Sequence, residues 1–222
     1  RHHPVSKHLL EQIDGLGGSY RVERSFKFIH NRLLCNRFIV TVPLEHHLKG
    51  AAQAALEIFS TLKMSEEHYA ICVEQLSRAA KIHFGFEEDG NHSLLKVYLE
   101  FPYDHAAGGS EPWLLMLGFK WDPHNPARCA VSRYVGLPTY TPREVHARTK
   151  AFFTDKRFSG VQGIVTAILL ACDRRAPNLG MWYLDVTEEG NPRSSFDIKT
   201  YRARLKIGDI IPLLPELCRF YQ

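Results

Sequence analysis

The stretch IHFGFEEDGNHSLLKVYLEF at residues 82–101 decides the fold. In its second half Leu95, Val97, Leu99 and Phe101 alternate with Lys96, Tyr98 and Glu100, the period of two that gives a strand one apolar and one polar face. Between the halves stand Glu87, Glu88, Asp89, Gly90 and Asn91, residues that favour a tight reversal. Strands 82–87 and 94–101 therefore form a hairpin. A parallel pair would need a crossover of roughly a dozen residues, and the turn is too short to supply one.

Working outward, the same pattern recurs on both sides. Arg21, Glu23, Ser25 and Lys27 alternate with Val22, Arg24, Phe26 and Phe28, a turn falls at Asn31, and Phe38, Val40 and Val42 alternate with Arg37, Ile39 and Thr41 on the return strand. Beyond the loop DHAAGGSEP at 104–112, a third hairpin spans 113–121 and 129–135 about DPHNP, and a fourth spans 181–186 and 195–201 about EEGNP. Helical spacing marks 5–14, 47–62 and 65–81, the last opened by Ser65 with Glu66 and Glu67 in its first turn. Thr141 and Pro142 open a further helix, Gly160 and Gly163 precede an apolar one reaching about Cys172, and a final helix from Ile207 is confined by Pro212 and Pro215. The order αββααββββααββα, with no low-complexity linker, predicts one α+β domain over 1–222: antiparallel hairpins with flanking helices in repeated αββα-like units.

Composition is that of a globular protein, with 45% hydrophobic and 23% charged residues in 222. No apolar run approaches the roughly 20 residues of a bilayer span, which predicts no membrane partner. A net charge of +4 without Lys/Arg blocks suits an anionic small molecule and argues against a specific nucleic-acid partner. Cys35, Cys72, Cys129, Cys172 and Cys218 are odd in number, form no CxxC pair and read as reduced core thiols. With no secretory leader legible, although the chain opens at Arg1 without a methionine, the expectation is a cytoplasmic protein.

A weak repeat carries the functional reading. Acidic-Asn turns precede a base and a tyrosine three times: Lys96 with Tyr98, Arg133 with Tyr134, and Lys199 with Tyr201. Residues two apart share a strand face, so Lys96, Tyr98 and Glu100 project together, as do Asp197, Lys199 and Tyr201. Arg21, Glu23, Lys27, Arg37, Lys120, Tyr183 and Asp185 fall at polar-side positions of other strands, while Val97, Phe101 and Ile198 face outward under helices. The plain alternative is a solvated sheet face. Converging cations suit a diphosphate, and tyrosine rings offer π faces to a carbocation.

At these residues the sequence resembles the ABBA-type soluble aromatic and peptide prenyltransferases, through KVY at 96–98 and KTY at 199–201 and in outline over 19–220. The resemblance implies a closed or partly open barrel, with Arg37, Lys96, Lys120, Arg133 and Lys199 on the diphosphate, and Tyr98, Tyr183 and Tyr201 around the allyl cation. Glu23 takes the proton of the aromatic acceptor. No cofactor is required, and Mg2+ is compatible with the diphosphate. Three features depart from the pattern. Arg133 and Tyr134 are adjacent and face opposite ways unless a bulge intervenes. Eight strands are legible where the family commonly has ten, and no helix separates the second and third hairpins.

Two other classes remain open. One is a non-catalytic module gripping an anionic ligand or a protein partner on the polar face. The other is a lyase or other enzyme acting on a small aromatic acid. HisHis at 2–3 and 46–47 lacks the spacing of a zinc site, and no metal is expected. His83 sits on the polar side and reads as an exposed histidine; Trp113, Trp121 and Trp182 read as core.

Overall fold

Strand alternation and turn chemistry divide the chain into four hairpins and four groups of helices. The computed structural model describes residues 4–17, 19–29, 32–44, 50–90, 92–103, 111–136, 141–177 and 181–220. In order they form α1 (Pro4–Asp14), β1 (Arg21–Ile29), β2 (Arg32–Pro43), α2 (Ala51–Thr61), α3 (Glu66–Leu76), β3 (Lys81–Asp89) and β4 (His92–Glu100). Then follow β5 (Trp113–Asp122), β6 (Asn125–Gly136), α4 (Pro142–Phe152), α5 (Ser159–Arg175), β7 (Trp182–Glu188), β8 (Asn191–Lys199), α6 (Ile207–Ile210) and α7 (Leu214–Phe220). The turn at Asn31, the HisHis pairs, the start of the second helix at 47–49 and most of the 104–112 loop lie outside the described residues.

The caps form as their residues dictate. The Ser65 hydroxyl accepts from the His68 N–H at the head of α3. Thr141 and Glu144 close a reciprocal capping box on α4 with Pro142 in its first turn. Two boundaries differ from expectation. Helix α3 stops at Leu76 rather than 81, because the Ala80 N–H turns to the Glu100 carbonyl and the chain joins the sheet at Lys81. Gly160 and Gly163 lie inside α5 instead of before it, and Gly160 sits against α7, where an added Cβ would lie 3.6 Å from the Phe220 ring.

All eight strands join one antiparallel sheet in sequence order, β1 to β8. Its convex face carries the core. Leu9 and Ile13 of α1, Ile58 and Phe59 of α2, and Cys72 and Leu76 of α3 pack on Val40, Phe84, Val97, Leu99, Phe119 and Trp121. Val145 of α4 with Leu169 and Cys172 of α5 cover Tyr183, Phe196 and Ile198. Val97 and Phe101 face outward as expected. Cys72 and Cys172 are buried, but Cys35 and Cys129 are exposed, which corrects the reading of every thiol as core. No described helix is long and apolar enough to cross a membrane.

The sheet bends around its other face until β1 and β8 line the same hollow, yet among the described residues they share no ladder. The arc is open at this seam, where the Tyr201 hydroxyl donates to Glu23 at 3.5 Å. Such curvature crowds the inner face, and glycines relieve it. A Cβ on Gly118 would lie 2.8 Å from the Tyr98 ring, and one on Gly136 would lie 2.6 Å from Leu184. Gly118→Ala is therefore expected to displace Tyr98 and to destabilise the fold by about 1–3 kcal/mol in urea titration. An unchanged midpoint would mean that the ring moves aside without cost.

Candidate functional site

The hollow is a cleft of about 810 Å³ lined from every strand. Register fixes what faces it. Arg21 lies opposite Thr41, Thr41 opposite His83, and His83 opposite Tyr98, while Lys81 lies opposite Glu100 and Glu100 opposite Met116. The lining divides into two walls. On the first four strands it is polar and charged: Arg21, Glu23, Thr41, Lys81, His83 and Glu100. On the last four it is largely aromatic and apolar: Met116, Tyr134, Trp182 and Val186, with Asp197, Lys199 and Arg202 at the closing edge.

Glu100 organises the charged wall. Lys81 Nζ lies 2.6 Å from its Oε1, His83 Nε2 lies 3.0 Å from its Oε2, and Lys199 Nζ stands 3.8 Å away. Burial would raise this carboxyl, but the hydrogen bonds from His83 and Lys81 and the charge of Lys199 hold it at about 2. The other nitrogen of His83, Nδ1, is 2.9 Å from Thr41 Oγ1. The expectation of an exposed histidine thus fails: the His83 side chain is 14% exposed with both ring nitrogens bonded.

Where the two walls meet, Tyr98 of β4 meets Tyr134 of β6 edge to face with centroids 5.8 Å apart, and the lining residue Trp182 meets Trp113 in the same way at 5.7 Å. Burial raises the Tyr98 phenol well above its ordinary range and pushes Tyr134 up to about 12, so both stay neutral hydrogen-bonding groups with intact π faces. The Arg202 guanidinium lies 5.2 Å from the Trp182 ring centroid. Trp121 alone of the three tryptophans is in the convex core, where its indole N–H donates to the Leu62 carbonyl at 2.8 Å.

The residues singled out from sequence separate into three groups. Glu23, Tyr98, Lys199 and Tyr201 line the cleft. Glu23 is half-exposed and paired with Arg21 at 2.9 Å. Tyr201 lies beyond the end of β8, in the short turn Tyr201–Ala203, so it reaches Glu23 from the rim rather than from the strand.

Arg37, Lys96 and Lys120 form a second cluster, away from the cleft lining. Its centre is Glu87, whose side chain is 3% exposed; it pairs with Lys96, with Arg37 Nε at 3.0 Å and with Lys27 Nζ at 3.1 Å. Burial opposes the Glu87 charge, but Lys96, Arg37 and Lys27 outweigh it and hold the carboxyl at about 2. Burial also draws the Lys96 ammonium down to about 8, against the pull of Glu87 and with the repulsion of Arg37 and Lys120. Lys120 pairs with Glu188 at 3.0 Å.

Arg133 and Tyr183 project from the other face. Arg133 lies opposite the buried core residue Leu117. Tyr183 stacks on Phe196 and packs with Val145 and Leu169. The cause in β6 is register: pairing shifts from Asp122–Asn125 to Trp121–Cys129, an odd slip that reverses which side chains face inward. In β7 the inward positions are the apolar ones, Trp182, Leu184 and Val186, and Asp185 turns outward to Arg148 at 3.4 Å.

Among the described residues no group of three or more His, Cys, Asp and Glu is arranged to hold a metal ion. Fold and site together define an open, curved antiparallel sheet enclosing a cleft of ligand size. Neither a protein-family model nor a curated protein matches the chain.

Proposed function

We propose that the cleft binds an allylic diphosphate beside an electron-rich aromatic acceptor and transfers the prenyl group between them. The observation that carries this reading is the division of one cleft into a cationic edge and an aromatic wall. Lys81, Lys199 and Arg202 supply charge-assisted donors for the diphosphate. Tyr98, Tyr134, Met116 and Trp182 supply apolar surface for the prenyl chain and π density for the cation that forms as the diphosphate leaves. The reading keeps Lys199, Tyr98 and Tyr201 in their expected roles. It moves the phosphate contacts from Arg37, Lys96, Lys120 and Arg133 to the cations of the cleft. It requires no cofactor, and Mg2+ would enter with the diphosphate.

Incubation with labelled dimethylallyl and geranyl diphosphate across indole and phenol acceptors tests the proposal, with a prenylated product as the expected result. Lys199→Ala and Lys81→Ala are each expected to weaken diphosphate binding by about 1.5 kcal/mol, roughly tenfold. The absence of both turnover and a diphosphate-dependent thermal shift would overturn it.

A second reading, a non-catalytic module for an anionic ligand, draws support from the internal pairing of Arg21 with Glu23 and Lys81 with Glu100. Diphosphate binding without any transfer or hydrolysis would favour it.

A further inference from the structure

Thr41, His83 and Glu100 stand on three consecutive strands, far apart in sequence, and all three line the charged wall. Their side chains form one chain of hydrogen bonds: Thr41 Oγ1 to His83 Nδ1 at 2.9 Å, and His83 Nε2 to Glu100 Oε2 at 3.0 Å. Lys81 occupies the other oxygen of Glu100 at 2.6 Å. An ionised carboxylate only accepts, so in the neutral imidazole the proton sits on Nε2 and the lone pair of Nδ1 is left for the Thr41 hydroxyl. The outcome is a threonine hydroxyl aimed at a basic nitrogen whose tautomer is fixed from behind by a carboxylate.

We infer that Thr41, His83 and Glu100 are the proton relay of the cleft, and that Thr41 is the group that meets the acceptor. The inference rests on the prenyl-transfer reading and assigns its last step. The allylic C–O bond breaks with its electron pair leaving on the diphosphate, and the acceptor's π electrons form the new bond to the allylic carbon. The proton of the resulting ring cation passes to Thr41 Oγ1 as the C–H electrons restore the aromatic ring. The threonine's own proton moves to His83 Nδ1. The imidazolium formed faces the Glu100 carboxylate and later returns its proton to water. Glu23, the acceptor expected from sequence, is less suited: it sits half-exposed at the seam and is neutralised by Arg21 at 2.9 Å.

Two measurements decide the matter. In the parent, 15N NMR of the imidazole should show the Nε2–H tautomer for His83, and Glu100→Gln should erode that preference. With labelled dimethylallyl diphosphate, Thr41→Val and His83→Gln should lose roughly 100-fold or more in transfer to the acceptor, the lower range for a positioned acid–base group. They should still release the label as prenol through attack by water, since ionisation does not use the relay. Thr41→Ser should retain transfer within several-fold. A Nδ1–H tautomer, or transfer by Thr41→Val and His83→Gln at the parental rate in a parent that does turn over, overturns the relay and leaves the transfer reading standing. A parent that neither ionises nor transfers the diphosphate removes the transfer reading, and with it the step given to Thr41.

Discussion

Glu87→Ala is expected to lower the stability of the fold by about 3–5 kcal/mol, the cost of breaking a buried ion pair from one side. Three cations, Lys96, Arg37 and Lys27, converge on the Glu87 carboxylate, which is sealed from water. Removing it leaves like charges facing one another with no counter-ion, and Lys96 is too deeply placed to reach solvent. For a chain of this length the loss corresponds to a fall of roughly 10 °C in Tm by calorimetry. Glu87→Leu combined with Lys96→Met should recover much of it, since an apolar pair of similar volume is often neutral against a buried ion pair. A single variant melting at the parental temperature would show that the cations escape to water.

A second large effect concerns acid. Glu87 and Glu100 both titrate near 2 in the fold against an ordinary value of 4.5. An acid whose folded pKa is depressed contributes stability that is complete above its unfolded pKa and is lost as pH falls through the folded one. The window is thus from about 4.5 down to about 2, and each carboxyl contributes on the order of 3 kcal/mol across it. The protein should lose stability steeply over this range in a series of urea titrations. Glu100→Gln, measured against pH, should flatten the curve by about half. A parental stability level between pH 5 and pH 2 would contradict the electrostatics of both clusters.

How much of this is legible in the sequence depends on the range of the interaction involved. Strand alternation, the Thr141–Pro142 helix start and the short acidic turns are local, and all eight strands appear at the positions their residues predict. The inward face of β4 is equally legible, since Lys96, Tyr98 and Glu100 alternate without a break. Arg133 misleads because the slip at Asp122–Asn125 leaves no compositional mark, and one odd slip inverts every later side chain of the strand. Tyr183 misleads because a phenol and Asp185 look polar, whereas Phe196 of the neighbouring β8 and Arg148 of α4 receive them on the outer face. The Thr41–His83–Glu100 chain is invisible for another reason: its members meet only through pairing across three strands, and no short motif records that pairing. The cluster on Glu87 shows the reverse failure, in which the cations are foreseen and the carboxylate that satisfies them is not.

The open seam between β1 and β8 has a consequence for range of use. In a fully closed barrel the bore is set by a continuous ladder, and widening it would break many backbone hydrogen bonds at once. Here, among the described residues, the two edges share no ladder, and a long bond from Tyr201 to Glu23 spans the rim between them. With no ladder between β1 and β8, the width of the cleft is set like the gap of a spring clip rather than the bore of a pipe: a change in the distance between these edges breaks no strand pairing among the described residues.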